Sequence, residues 1–253
     1  MYCVVPSEIA VADAPRGIDR SVVRRVKSDM LVALVSSLDA AEYESSSIAE
    51  RLGDADWLAP RAVAHDALVT WASDVGAVLP FPMWVMFNDD AGVLAMLAER
   101  EGELSRAMDR VRGAREFGVR VSADRRALAA AAGRVDSRLA EMERQAAGAP
   151  PGEAYLLRRK LEAERKLAVR DVAVRIADRT HSELAAVSRS AIARAAATSN
   201  EAGLLLDGAY LVPNQEYDGF RTMLTSLVEM FEPDGVRFEF TGPWPPYHFV
   251  RDS

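Results

Sequence analysis

Very few residues of this 253-residue sequence have the types and the spacing that catalysis or metal binding requires. The three histidines (His65, His181 and His248) are far apart and lack the His-x3-His spacing of a metal site, so we interpret each as structural. The adjacent carboxylates Asp89 and Asp90 suggest acid–base or metal chemistry, but such a pair after a strand more often caps a helix. There is no Gly-rich phosphate loop, no Gly-x-Ser-x-Gly turn and no Cys-x-x-Cys pair. The sequence therefore predicts no catalytic residue, no cofactor and no metal site.

A basic series follows the long helix that the hydrophobic pattern predicts over about residues 153–197. Acidic residues interleave with it, and pairs four residues apart, such as Glu162 with Lys166 and Asp171 with Arg175, predict a solvated, salt-bridged face. Nucleic-acid binding is the alternative, but no aromatic residues alternate with the basic ones, as single-strand binding requires. The series comprises Arg158, Arg159, Lys160, Arg165, Lys166, Arg170, Arg175 and Arg179.

The composition is that of a folded, intracellular protein. Hydrophobic residues make up 49% of the chain and charged residues 27%, and the net charge of −7 disfavours nonspecific binding to nucleic acid or to a membrane surface. The single cysteine, Cys3, excludes an internal disulfide and fits a reducing cytoplasm. No run approaches the ~18 to 20 apolar residues that cross a bilayer, and no signal peptide is recognisable.

Up to residue 76 the pattern predicts a small α+β domain. The β-rich opening ends at Pro6, and the serines 45–47 have the residue type that caps a helix. Over residues 56–73, apolar residues recur at helical spacing and would share one face of a helix. The predicted strands cover residues 2–5, 22–23 and 31–35, and the charged segment 24–29 lies between the last two. One predicted helix begins at Ile48, and a second covers residues 56–73.

From residue 77 the pattern predicts a second domain that contains a helical hairpin. The apolar run 78–87 has two prolines, so we expect an irregular segment followed by a strand. A heptad seam over 128–142 and a breaker at 148–152 indicate an αα-hairpin at about 123–198. The other predicted elements are a helix after Asp90 that ends at Gly113, a strand over 117–121, a strand over 204–212 with a bulge or bend at Asp207-Gly208, a helix over 215–231 and a strand over 236–240.

The predicted fold class is α+β with two domains. Residues 1–76 form the N-terminal α+β domain, and residues 77–253 form a modified ferredoxin-like (split βαβ) domain with the long α-helical hairpin inserted between its second and third strands. This prediction depends on the β-α-β, β-α-β order that remains when the hairpin is set aside.

The C-terminal run Gly242-Pro243-Trp244-Pro245-Pro246-Tyr247 resembles the signature of the GvpF/GvpL gas vesicle proteins. Other segments follow the order of that family, although Pro82, Trp84 and His248 depart from its usual residues. The similar segments are Val78-Leu79-Pro80 leading to Val85-Met86-Phe87 with His65 upstream, residues 116–121, Tyr155-Leu156 with Arg158-Arg159-Lys160, and Ala209-Tyr210-Leu211-Val212.

The resemblance implies two α+β domains, the second a modified ferredoxin fold, and a non-enzymatic role in the gas vesicle of the cytoplasm. It implies an accessory or minor structural protein that binds the hydrophobic main shell protein, limits its aggregation and assists nucleation. The expected partners are the shell protein and other accessory proteins, with no nucleic acid and no membrane. A ferredoxin-like ligand-binding or regulatory module without catalysis is the alternative. The motif residues, structural or interfacial, are Pro80, Tyr155, Arg158, Arg159, Tyr210, Gly242, Pro243, Trp244, Pro245, Pro246 and Tyr247.

The proline-rich tail has two interpretations. Its prolines and rings either pack the terminus onto the C-terminal domain or present a stiff aromatic surface to an apolar partner. We favour a lock on the C-terminal domain, because the tail directly follows the last predicted strand. The run 81–87 raises the same question, and there we favour core packing.

Overall fold

The computed structural model describes residues 1–195 and 203–250. The chain divides into two compact units, each with its own sheet. The first unit comprises Met1–Glu116 and the C-terminal segment that begins at Pro243; the second is Phe117–Gly242. The fold is therefore α+β, as the sequence predicts. The sequence analysis places the domain boundary after residue 76, whereas the two units of the structure divide after Glu116 and before Pro243.

The first unit contains a four-stranded antiparallel sheet with the order β2-β3-β1-β4. Its buried core joins this sheet to helix α2, whose N-terminus is capped by the Asp54 carboxylate. Asp89 caps α3 by accepting a hydrogen bond from the Gly92 N–H at 2.8 Å, as predicted. The elements are β1 Cys3–Pro6, β2 Arg24–Lys27, β3 Leu31–Val35, α1 Ser45–Arg51, α2 Ala55–Val75, β4 Leu79–Pro80, α3 Asp90–Glu99 and α4 Glu101–Val111.

Two strand predictions in the first unit are wrong. The second strand covers the charged segment Arg24–Lys27, because its backbone pairs with β3, whereas Val22 is 65% exposed outside it. In the apolar run 78–87 only Leu79–Pro80 is a strand, and it pairs with β1 at the edge of the first sheet. Pro80 is tolerated there because an edge strand needs fewer N–H donors. The run thus supplies the last strand of the first sheet and not the first strand of a second one.

The second unit contains a four-stranded sheet with the order β6-β7-β5-β8. Its core joins the sheet to α5, α7 and α8 around Tyr210, Phe220 and Leu184. The elements are β5 Ala114–Ala123, α5 Arg125–Val135, α6 Ser137–Gly148, α7 Pro151–Ala186, β6 Ser190–Ala195, β7 Leu204–Pro213, α8 Tyr217–Phe231 and β8 Val236–Trp244. Short 3-10 turns lie at Ile18–Arg20, Asn214–Glu216 and Glu232–Asp234.

The helical hairpin differs from its prediction at two points. Its first arm is two helices, because the Asp136 carboxylate accepts from the Arg138 N–H at 3.0 Å and begins α6. Its second arm ends at Ala186 and not at residue 197; β6 follows and pairs antiparallel with β7 from Ser190 to Ala195. Pairing with a neighbouring strand overrides the helix propensity of an alanine-rich segment. Residues 196–198 of the predicted hairpin lie outside the described residues.

The predicted bulge at Asp207-Gly208 is absent from the regular β6–β7 register, in which Ala193 pairs with Gly208 and Arg194 with Asp207. The presence of glycine at position 208 has a steric explanation. A Cβ at Gly208 would lie 2.7 Å from ring atoms of Tyr210, which shares its face of the strand. Gly208 therefore leaves space for the buried Tyr210 ring.

Candidate functional site

The C-terminal tail is anchored within the first unit. Pro245 and Pro246 are buried, and Phe249 is only 3% exposed. The Arg110 Nε–H donates to the Phe249 carbonyl at 3.1 Å. Arg110 lies within residues 77–253, the predicted C-terminal domain, but in the structure it belongs, like the tail, to the first of the two units.

A buried carboxylate fixes the end of this tail. Glu116, 4% exposed, accepts the backbone N–H of His248 at 3.0 Å, and its other oxygen lies 2.6 Å from His248 Nδ1. Near the end of β8, Gly242 has a φ of 111°, which lies in the region that favours glycine. Trp244 and Tyr247 stay 46% and 39% exposed, so the tail is part anchor and part surface.

The other motif residues occupy three different settings. Pro80 is buried at the edge of the first sheet and pairs with Cys3. Tyr210 is fully buried in the second unit, its hydroxyl lies 3.2 Å from His181 Nδ1, and burial raises its pKa. Tyr155, Arg158 and Arg159 lie exposed on α7. The motif therefore combines packing residues with one exposed helical segment.

An aromatic cage around Arg61 is a feature that the sequence analysis missed. Trp57 and Trp84 stack with centroids 5.4 Å apart, and Tyr43 lies 6.0 Å from each. The Arg61 guanidinium lies 4.4 Å from the Trp57 centroid, a cation–π distance. Trp84 reaches this position with a φ of 77°, a strained conformation for a bulky residue.

Two carboxylates complete the cage. Arg61 forms ion pairs with Asp19 at 2.9 Å and with Glu42 at 3.0 Å, and its Nε–H donates to the Tyr43 hydroxyl at 2.6 Å. Burial, and next the hydrogen bond to Asp19, raise the pKa of Tyr43. The cage is filled by a side chain of its own chain, so we interpret it as structural. In the sequence, only the four-residue spacing of Trp57 and Arg61 on α2 could have indicated this cage. Tyr43 and Trp84 come from separate loops.

The histidine and cysteine side chains that could in other settings carry chemistry have structural surroundings here. His65 is buried, burial lowers its pKa, and its Nε2 has no hydrogen-bond partner among the described residues. Burial raises the pKa of the Cys3 thiol to about 12, so it is no thiolate nucleophile at neutral pH. Across residues 1–195 and 203–250, no group of His, Cys, Asp or Glu is arranged to hold a metal ion.

The solvated face predicted for the long helix is present on α7. Glu162 pairs with Lys166 at 3.0 Å, while Arg165 reaches Glu143 of α6 at 2.9 Å. The predicted pair Asp171–Arg175 is absent from the described structure. Within those same residues, no helix is long and apolar enough to cross a membrane.

The family of the chain follows from comparison with known proteins. The family model for gas vesicle synthesis protein GvpL/GvpF matches residues 1–251. The chain belongs to the GvpL/GvpF family. This is a family of gas vesicle synthesis proteins.

Curated relatives of this GvpL/GvpF protein are gas vesicle proteins L. One from a Streptomyces species is 31% identical over 99% of this chain and 91% of its own length. Gas vesicle protein L2 of Halobacterium salinarum is 28% identical, with 100% of this chain and 91% of the relative covered. The similarity thus extends over both units.

Two solved GvpF structures show the same fold. GvpF of Microcystis aeruginosa has a TM-score of 0.70 and 18% identity, covering 99% of this chain and 97% of its own. GvpF of an Anabaena species has a TM-score of 0.75 and 18% identity, covering 100% and 97%. The architecture described above is therefore that of GvpF.

Proposed function

We propose that this GvpL/GvpF protein is an accessory or minor structural component of the gas vesicle that binds the hydrophobic main shell protein. It limits aggregation of that protein and assists nucleation and assembly of the vesicle in the cytoplasm, together with other accessory proteins. The family match over residues 1–251 carries this proposal, because the family is one of gas vesicle synthesis.

Exposed apolar side chains support a binding role. Each Å² of apolar surface removed from water contributes about 25 cal/mol, so burial of large exposed side chains against a hydrophobic client would favour binding. Among the exposed apolar side chains, those considered for binding lie on the tail in the first unit and on α7 in the second. The residues concerned are Trp244 and Tyr247, and Tyr155, Leu156 and Leu167.

We also propose that the second unit is a ferredoxin-like, split βαβ domain with the hairpin as its first helical connection. Its elements follow the order β5, α5–α7, β6, β7, α8, β8, and its strands have the order β6-β7-β5-β8. This is a βαββαβ arrangement, which supports the proposal. The hairpin then lies between the first and second strands of the unit.

Co-expression with the shell protein tests the proposed function. We expect affinity purification of this protein to recover the shell protein, and the shell protein to shift from the pellet to the supernatant. A matched expression with an unrelated α+β protein controls for general solubilisation. No recovery together with unchanged vesicle formation after deletion of the gene would contradict the proposal.

Small-molecule calorimetry tests the alternative function. Two open clefts, of about 440 Å³ between α6 and α7 and about 540 Å³ along α8, are lined mainly by charged and hydroxyl side chains. Specific small-molecule binding without shell-protein binding would favour a ligand-binding module over an assembly factor.

A further inference from the structure

Helix α7 carries a second apolar stripe on the side opposite to its buried face. Leu156, Leu167 and Val174 are 65%, 57% and 39% exposed, and Ala163 between them is also exposed. Their spacings of seven, four and seven residues keep the four within about 40° of one another around the helix. The stripe is therefore continuous over several turns.

The stripe has the spacing of a coiled-coil seam. With Lys160 and Arg170 included, the positions are separated by four, three, four, three and four residues, which is the repeat that packs against another helix. We call this set the α7 seam: Leu156, Lys160, Ala163, Leu167, Arg170 and Val174. The heptad prediction from the sequence concerned the buried side of the hairpin and did not detect this second seam.

The opposite face of α7 already has its packing partners. Leu161 is buried toward α6, and Val172, Ile176 and Leu184 belong to the core with the sheet and α8. The seam therefore contributes nothing to the core of the second unit. Its substitution is expected to leave the unit folded, which makes the seam testable.

The seam is basic although the chain as a whole is acidic. Residues 155–170 contain six Arg or Lys and two Glu, whereas the whole chain has a net charge of −7. Lys166 is paired with Glu162. Within residues 1–195 and 203–250, Arg159, Lys160 and Arg170 form no ion pair. These three cations are thus available to carboxylates of a partner.

A second copy of this chain fits the seam poorly. In an antiparallel pairing centred on the seam, Lys160 faces Arg170 of the other copy, and in a parallel pairing each cation faces its own counterpart. Like charges opposite each other destabilise helix pairs. Charge complementarity therefore requires a partner helix that has acidic residues at these positions.

We propose that the α7 seam binds an acidic amphipathic helix of another gas vesicle component. The apolar stripe of that helix packs on Leu156, Leu167 and Val174, and its carboxylates pair with Lys160 and Arg170. This is a helix-on-helix recognition mode in which apolar contacts give affinity and charges select the partner. The assignment to a vesicle component rests on the proposed function; the binding chemistry does not.

The direct probe is a designed 28-residue amphipathic peptide with Leu at the a and d positions, except for Glu at the two that face Lys160 and Arg170. We expect this Glu peptide to bind the full chain, and the same peptide with Lys at those two positions to bind at least tenfold more weakly. The double variant Leu156→Ser/Leu167→Ser should lose at least tenfold in affinity. Val63→Ser, which removes a 69% exposed valine from α2, is the matched control and should not change binding.

Charge reversal gives the sharper test. In the double variant Lys160→Glu/Arg170→Glu, preference should switch to the Lys peptide, while circular dichroism remains that of the wild type. No binding of the Glu peptide, equal binding of both peptides, or a seam variant with unchanged affinity would overturn the proposal. A wild-type dimer that the Leu156→Ser/Leu167→Ser variant dissociates would also overturn it, since the occupant would then be a second copy.

The same variants separate this inference from the proposed function. If the wild type and the seam variant recover the shell protein equally, the shell protein binds elsewhere on the chain. The peptide assay alone then decides whether the α7 seam binds acidic helices. If the wild type does not recover the shell protein, the proposed function fails, yet the peptide result still decides whether the seam binds acidic helices.

Discussion

His248 Nδ1 lies 2.6 Å from a carboxylate oxygen of the buried Glu116, and the backbone N–H of the same histidine donates to the other oxygen. One carboxylate thus holds both the backbone and the side chain of a residue 132 positions away in the sequence. The pair connects the end of helix-rich residues 90–116 to the tail and closes the first unit on itself.

The Glu116→Gln variant tests the contribution of this carboxylate. Glutamine keeps the shape but has one acceptor oxygen where two donors converge, so we expect the free energy of unfolding to fall by about 1–3 kcal/mol. Urea denaturation measures it. Glu8→Gln, at an exposed position, is the control and should change it by less than about 0.5 kcal/mol. Equal stability of the two variants would mean that the Glu116–His248 contact contributes nothing.

Phe249→Ala tests which unit the tail stabilises. The 3%-exposed ring leaves a cavity, and we expect a loss of about 3 kcal/mol in the stability of the first unit. Hydrogen exchange should accelerate within residues 1–116 and remain unchanged within 117–242. The exposed Val22→Ala serves for comparison. Acceleration confined to residues 117–242 would contradict the assignment of the tail to the first unit.

Arg61→Met tests the aromatic cage. It leaves Asp19 and Glu42 without their shared cation and removes the cation–π contact, so we expect a loss of about 1–3 kcal/mol and a shift in tryptophan fluorescence. Arg51→Met is the matched control, because Arg51 also pairs with Glu42 and lies over Trp57 but is 47% exposed. Its loss should stay below about 1 kcal/mol. Similar losses in both variants would show that burial of the guanidinium is irrelevant.

His65 should make stability depend on pH. Burial first, and then the N-terminal charge, lower its pKa from the ordinary 6.5, whereas Asp66 and a hydrogen bond with the Phe81 backbone raise it. The unfolded chain therefore takes up a proton at a higher pH than the folded one. Stability is full above about 6.5 and falls as the pH drops toward the folded-state pKa.

The His65→Phe variant checks this sign. Phenylalanine fills a similar volume and cannot be protonated, so the difference in unfolding free energy between about pH 7.5 and about pH 5.5 should become smaller than in the wild type. His181→Phe, which replaces the histidine beside Tyr210, is the comparison variant. An unchanged pH difference in His65→Phe would exclude His65 as its source.

Gly208→Ala tests why β7 contains a glycine. The added Cβ would meet the Tyr210 ring at 2.7 Å, so we expect a loss of about 1–3 kcal/mol. Gly133→Ala on α5 has open space around its Cβ and should stabilise the protein by about 0.5–1 kcal/mol. Thermal unfolding of the two variants should therefore shift in opposite directions. A shift of Gly208→Ala in the same direction as Gly133→Ala would contradict the steric explanation.

The sequence predicted elements whose pattern is local. The strands β1 and β3, the helices α2 and α8 and the cap at Asp89 lie where periodicity and cap residues indicated. It failed where a distant partner decides. β6 is alanine-rich and becomes a strand only because β7 pairs with it. Likewise β2 is charged and pairs with β3.

The candidate site shows the same division. The tail was recognisable from its prolines and rings, but not its anchor Glu116, which belongs to the strand β5 and becomes buried only through folding. Tyr43 and Trp84 stand far apart in the sequence and come together through tertiary structure alone, and Arg61 lies over the Tyr43 ring. The α7 seam was in principle detectable, since its heptad spacing is local, but the buried stripe of the same helix concealed it.

The discontinuity of the first unit has a consequence for biosynthesis. The ribosome releases residues 1–116 first, but Pro245, Pro246 and Phe249 emerge only after the entire second unit has been made. Domains commonly fold in the order of their synthesis. Here the first unit cannot complete its folding until the tail is synthesised, because the sites that the tail residues cover remain exposed. The second unit can fold completely before that point. A nascent chain that stops before residue 243 would therefore carry a complete second unit beside an incomplete first one.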